Sequence, residues 1–127
     1  MGSQPTYRLG DLQLKIMRVL WQVGPASVAG VQQQLDGGLL AYTTVATMLR
    51  KMEGRGLVRH QEQGRKFIYQ ASVCEKEVAR GMANDLVDRL FQGSLADAVS
   101  HLLETREVRP DELDRMQRLI RRRKRQS

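Results

Sequence analysis

The chain has 127 residues, with 21 Lys and Arg against 14 Asp and Glu, a formal net charge of +7 and a sequence pI near 10.2. That length suits one compact domain or two small ones and excludes a barrel or a two-lobed enzyme, while 41% apolar and 28% charged residues exclude a disordered tail. A single cysteine, Cys74, excludes an internal disulfide, and no apolar run or start signal suggests a membrane span or secretion, so a soluble, cytoplasmic protein without membrane insertion is expected.

The position of the charge says more than its total. Residues 1–72 carry nine Lys and Arg and four acids, a net of +5. Residues 73–117 carry six cations and ten acids, a net of −4, and the last ten residues add six cations. A basic first half, an acidic second half and a basic end suggest two modules, the first with an anionic partner such as nucleic acid.

In chain order, Leu9, Leu12, Ile16, Val19/Leu20 and Val23 recur at helical spacing until Gly24-Pro25, which predicts a first helix over about 10–23. Ser27 is a suitable N-cap for a short second helix with Val28, Val31 and Leu35 inward, closed by Gly37-Gly38. A third helix runs from about Tyr42 to Glu53 and ends at Gly54 and Gly56. Leu57 to His60 and Lys66 to Ala71 are short strands around a Glu62-Gln63-Gly64-Arg65 turn. Ser72-Val73-Cys74-Glu75 has capping-box spacing and opens a long fourth helix, with Val78, Met82, Leu86 and Leu90 inward, that reaches Gly93. Ser94 begins a fifth helix with Leu95, Val99, Leu102 and Leu103 apolar. Pro110-Asp111-Glu112 begins a sixth, with Leu113, Met116 and Ile120 as its stripe. The last three helices bury little surface alone, so a homodimer is expected through Val78, Met82, Leu86, Leu90, Val99, Leu102, Leu113, Met116 and Ile120.

On a helical wheel the third helix groups Val45, Met48, Leu49 and Met52, and sets Thr43, Thr47, Arg50, Lys51 and Gly54 opposite. An ordinary solvated helix has the same kind of face. Its context differs: a short helix and turn precede it, and a hairpin bearing Arg59, His60, Arg65 and Lys66 follows. That order describes a major-groove helix with a wing. Thr43, Thr44 and Thr47 supply hydroxyls and methyls, Arg50 and Lys51 reach base edges or phosphates, and Arg65 and Lys66 lie on the backbone.

Leu9-Gly10-Asp11-Leu12, Ile16-Met17, Leu20-Trp21, Gly24-Pro25, Ala41-Tyr42-Thr43-Thr44-Val45, Met48-Leu49, Gly56-Leu57-Val58, Gly64-Arg65 and Tyr69 resemble the BlaI/MecI/CopY family of bacterial winged-helix repressors. Asp88-Arg89-Leu90-Phe91, Gly93-Ser94 and the helix near Leu113 extend the resemblance over about residues 9–120. It implies a mainly α fold with a small β-hairpin: a winged helix-turn-helix over 1–72, a helical dimerisation region over 73–120, and a basic, disordered tail over 121–127. It also implies a dimeric transcriptional repressor on palindromic double-stranded operator DNA, with half-sites resembling TACA and TGTA. In some members a membrane-bound sensor protease acting in trans cuts an Asn–Phe bond; the aligned pair here is His101-Leu102. The copper-responsive branch has a cysteine-rich C-terminal metal site that is missing here, and Gln13 replaces the family's usual acid without an evident consequence.

The remaining features have plainer readings. His60 and His101 lack the partners of a metal site, apart from Glu104 beside His101, and no metal or cofactor is expected. Cys74 near a helix start reads as a small packing residue, with a redox role as the alternative. Trp21 and the six methionines read as core filler. Met1-Gly2-Ser3-Gln4-Pro5-Thr6 matches a myristoylation pattern and reads as a chance match. The run Arg121 to Arg125 reads as nonspecific phosphate attraction. Glycine-rich phosphate loops, paired carboxylates and nucleophile–histidine pairs are missing, so no enzyme is expected. A regulator released by a small effector, or a winged helix that docks on protein, remain the alternatives.

Overall fold

A computed structural model describes residues 7–127; the Met1–Thr6 segment, and with it the myristoylation pattern, lies outside the described residues. The elements are α1 (Asp11–Val23), β1 (Ala26–Ser27), α2 (Val28–Gln34), a 3-10 turn at Asp36–Gly38, α3 (Tyr42–Gly54), β2 (Val58–Gln63), β3 (Lys66–Ala71), α4 (Glu75–Phe91), α5 (Leu95–Thr105) and α6 (Pro110–Gln126). The chain divides into two units, the first ending at Asp85 and the second beginning at Leu86.

In the first unit the apolar periodicities converge on one core. Ile16, Met17 and Leu20 of α1, Val28 and Val31 of α2, and Val45, Leu49 and Met52 of α3 are buried with Val58 and Tyr69 of the hairpin. Each such side chain contributes roughly 1.5–3 kcal/mol by leaving water. The sheet is antiparallel in the order β1-β3-β2, with Ala26 opposite Tyr69 and Gln63 opposite Lys66. Local chemistry sets the corners. Gly24 closes α1 at a φ of +82°, where its N–H donates to the Leu20 carbonyl at 3.0 Å. Ser27 Oγ accepts from the Gly30 N–H at 3.1 Å and caps α2 as expected.

The structure differs from these expectations at several points. Two residues beside a proline carry no periodicity, so β1 leaves no mark in the sequence; it exists through its pairing with Ile68 and Tyr69. The hairpin is tighter than expected, because β2 extends to Gln63 and only Gly64 and Arg65 turn the chain. Gly64, at a φ of +62°, takes the first position of a type II′ turn. The capping box at Ser72 does not form: the Ser72 N–H donates to the Leu57 carbonyl at 2.9 Å, and α4 opens at Glu75, where the Cys74 carbonyl accepts from Val78 at 3.2 Å. Finally, Val78 is 1% exposed in the core of the first unit, and Met82 packs against that core. Both side chains serve the core of the first unit, which runs on to Asp85 rather than ending at residue 72.

Polar contacts hold the start of α4 to this unit. The Tyr7 hydroxyl donates to the Glu77 carboxylate, Trp21 Nε1 donates to the Val73 carbonyl at 2.9 Å, and Arg8 lies 3.9 Å from Asp85. Trp21 is therefore an anchor as well as core filler.

In the second unit Ser94 caps α5 by accepting from the Asp97 N–H at 3.1 Å. Ala98 is its one buried residue, and Leu90, Leu95, Leu119 and Ile120 are each more than half exposed. The expected disordered tail is instead helical, since α6 continues to Gln126. Asp111 and Glu112 in its first turn and Arg123, Lys124 and Arg125 in its last oppose the helix dipole at both ends, which favours continuation.

The Tyr7 contact carries a pH signature. The bond to Glu77, together with burial and the carboxylate charge, pushes the Tyr7 hydroxyl up to about 12 from 10. The folded value lies above the unfolded one, so this stabilisation is complete below pH 10 and disappears as the pH rises toward 12. Tyr7→Phe should cost about 1 kcal/mol at neutral pH. In thermal melts the gap between the variant and the parent should close between pH 10 and 12; a constant gap would contradict the contact.

Candidate nucleic-acid interface

The α3 helix presents two faces of opposite character. Val45, Leu49 and Met52 are fully buried, whereas Thr43, Thr44, Thr47, Arg50 and Lys51 are all exposed. Threonines and cations therefore share the solvent side of a helix whose rotation is fixed by its core side. Arg50 Nη2 donates to Thr47 Oγ1 at 3.4 Å, one turn back along that face. The N-cap position, Ala41, offers no side-chain acceptor, so no side chain caps the first N–H groups of α3. The Gln32 amide donates to the Leu40 carbonyl at 2.8 Å and ties α2 to the segment that leads into α3.

Arg65 and Lys66 are exposed at the β2–β3 turn, in the same unit as α3 and lining a cavity with its Arg50. The structure thus brings Arg50, Arg65 and Lys66 together. Arg59 lies farther along the hairpin, opposite Gln70 in the register.

Two braces were invisible to periodicity. His60 lies 2.7 Å through Nδ1 from Glu53 Oε2, and its backbone N–H donates to the same oxygen at 3.2 Å. An ionised carboxylate only accepts, so Nδ1 carries the hydrogen. The His60 ring also stacks on Phe67 at 4.2 Å, so this histidine joins the end of α3 to both strands of the wing. Gln13 Oε1 accepts from Arg55 Nη1 at 2.9 Å while Arg55 Nη2 donates to the Arg8 carbonyl at 3.1 Å, which gives Gln13 a consequence: it links α1 to the end of α3. A signal for the first brace was present in the sequence, since Glu53 and His60 flank a helix-to-strand turn. For the second there was none. Burial holds the Tyr69 hydroxyl above the usual phenol range, with the Glu53 charge adding and Arg50 opposing.

Among the described residues no group of three or more His, Cys, Asp or Glu could hold a metal, and no helix is long and apolar enough to cross a membrane. Cys74 is exposed. His101 and Leu102 both lie inside α5, exposed but within continuous helix. A protease reads extended chain, so cutting there requires α5 to open first.

Comparison with known proteins identifies the family. The penicillinase repressor family model matches residues 9–122. The transcriptional regulator BlaI of Mycobacterium tuberculosis is 34% identical over 119 residues, covering 89% of this chain and 83% of that protein. The penicillinase repressor of Bacillus licheniformis is 22% identical over 114 residues, covering 89% of each. Among solved structures, one titled CopR repressor is 28% identical with a TM-score of 0.45, covering 54% of this chain and all of that one. The chain belongs to the penicillinase repressor family of DNA-binding transcriptional repressors.

Proposed function

We propose that the chain represses transcription as a homodimer on a palindromic operator, with the outer face of α3 in the major groove and the β2–β3 turn on the backbone. The observation that carries this reading is the division of α3, whose buried side fixes Thr43, Thr44, Thr47, Arg50 and Lys51 toward solvent. Threonine methyls suit thymine methyls, Arg50 suits a guanine edge, and Lys51, Arg65 and Lys66 suit phosphates.

Dimerisation is supported by the second unit, where Leu86, Leu90, Leu102, Leu113 and Ile120 are exposed while Val99 and Met116 are only half-buried. A second copy covers those side chains, and such isolated helices have too little core of their own. Two-fold symmetry then sets the half-sites one helical turn or a multiple apart, roughly 34 Å per turn. Relief of repression by a sensor protease acting in trans at His101–Leu102 fits this scheme if dimer opening and opening of α5 are linked.

Two measurements test the assignment. Arg50→Ala should cost on the order of 1–3 kcal/mol on the operator and relax preference at one base position. An equal loss on operator and random duplex would move Arg50 to phosphate contact. Truncation after Ile120 removes the Arg121–Arg125 run and should weaken binding to all duplexes alike, with a shallower dependence on salt; a loss confined to one operator would contradict that role.

A further inference from the structure

A cavity of about 480 Å³ opens in the first unit between the start of α2, the α3 helix and the hairpin turn. It combines two kinds of lining. Val28, Ala46 and the aromatic rings of Tyr42, Phe67 and Tyr69 make it apolar, and Arg50, Arg65 and Lys66 add three cations. Tyr42, Ala46 and Arg50 follow one another at four-residue spacing, so a single side of α3 supplies an aromatic ring, a gap and a guanidinium. Tyr42 and Phe67 are 53% and 43% exposed, so both rings are accessible from the cavity they line.

The Tyr69 hydroxyl is the second observation. Tyr69 is only 2% exposed, and no hydrogen bond reaches its hydroxyl from the described residues. Yet among those residues no enclosed side-chain polar atom lacks a partner. The hydroxyl is therefore not sealed off, and its residue lines this cavity, where it has no partner among the described residues.

DNA phosphate would satisfy the three cations but would leave the aromatic lining and the phenol unused. A neutral aromatic would fill the apolar part and leave the cations. We propose that this cavity binds a small planar aromatic carboxylate, with its ring against Tyr42, Phe67 and Ala46, its charge among Arg50, Arg65 and Lys66, and the Tyr69 hydroxyl donating to it. The volume suits a one- or two-ring acid. Because the three cations are those assigned to DNA, occupancy of the cavity and of the operator exclude each other. That competition rests on the DNA-binding reading; binding of the acid itself does not.

The test uses the full chain, with 1-naphthoate as the probe and 1-naphthalenemethanol as its neutral match. Calorimetry should show saturable binding of naphthoate and at least tenfold weaker binding of the alcohol. In a parallel anisotropy assay, naphthoate should release the operator over the same concentration range. Tyr69→Phe should weaken naphthoate roughly tenfold by deleting one hydrogen bond to a charged group, and Ala46→Leu should abolish binding by filling the gap, both with operator affinity retained. Operator binding without naphthoate binding up to millimolar concentration overturns the proposal. So does equal affinity for the neutral alcohol, or naphthoate binding unchanged in both variants. Naphthoate binding sensitive to both variants, in a chain that binds no DNA, would uphold the cavity and refute the repressor reading instead.

Discussion

Burial of one side of α3 governs what the rest of the molecule can do. Val45, Leu49 and Met52 are each fully enclosed, and a helix with three such residues on one side cannot rotate without exposing them. Losing one large core side chain typically costs 2–5 kcal/mol, whereas the polar contacts on the outer face are worth about 1 kcal/mol or less each. The core therefore decides orientation, and the outer face is left to carry the proposed contact with DNA. That separation leaves Thr43, Thr44, Thr47, Arg50 and Lys51 free for recognition, because none of them is needed for packing.

Secondary braces transmit this orientation to the neighbouring parts. Glu53 at the end of α3 holds His60, which in turn lies against Phe67, so the wing is fastened to the reading helix at its base. Gln13 and Arg55 do the same between α1 and that same end of α3. Between the wing and α3 a cavity persists, because Ala46 and the short residues at the start of α2 do not fill it. The cavity carries Arg50, Arg65 and Lys66 and lies beside the exposed side of α3, so the proposed reading face and the recess share these three cations.

Much of this was legible in the sequence, for identifiable reasons. Apolar spacing of Ile16, Leu20, Val45 and Leu49 reveals helices, since burial on one side leaves a period; the Ser27 and Ser94 caps and Gly24 mark helix ends, and Gly64 marks the hairpin turn. Spacing could not assign a helix to a module. The α4 helix carries one continuous apolar stripe, yet Val78 and Met82 serve the winged helix while Leu86 and Leu90 remain exposed in the second unit. Likewise β1 and the Gln13–Arg55 contact arise from chain segments far apart, which leave no local pattern. At the basic end a dense charge run suggests disorder, although charges complementary to the helix dipole favour the α6 helix seen there.

The most direct test of the central claim is a nuclear magnetic resonance titration of the labelled protein with operator duplex. The account predicts amide shifts concentrated on Thr43, Thr44, Thr47, Arg50 and Lys51 and on the Gly64–Lys66 turn, with Val45, Leu49 and Met52 moving little. Shifts confined to α5 and α6, with the outer face of α3 unmoved at saturation, would contradict it.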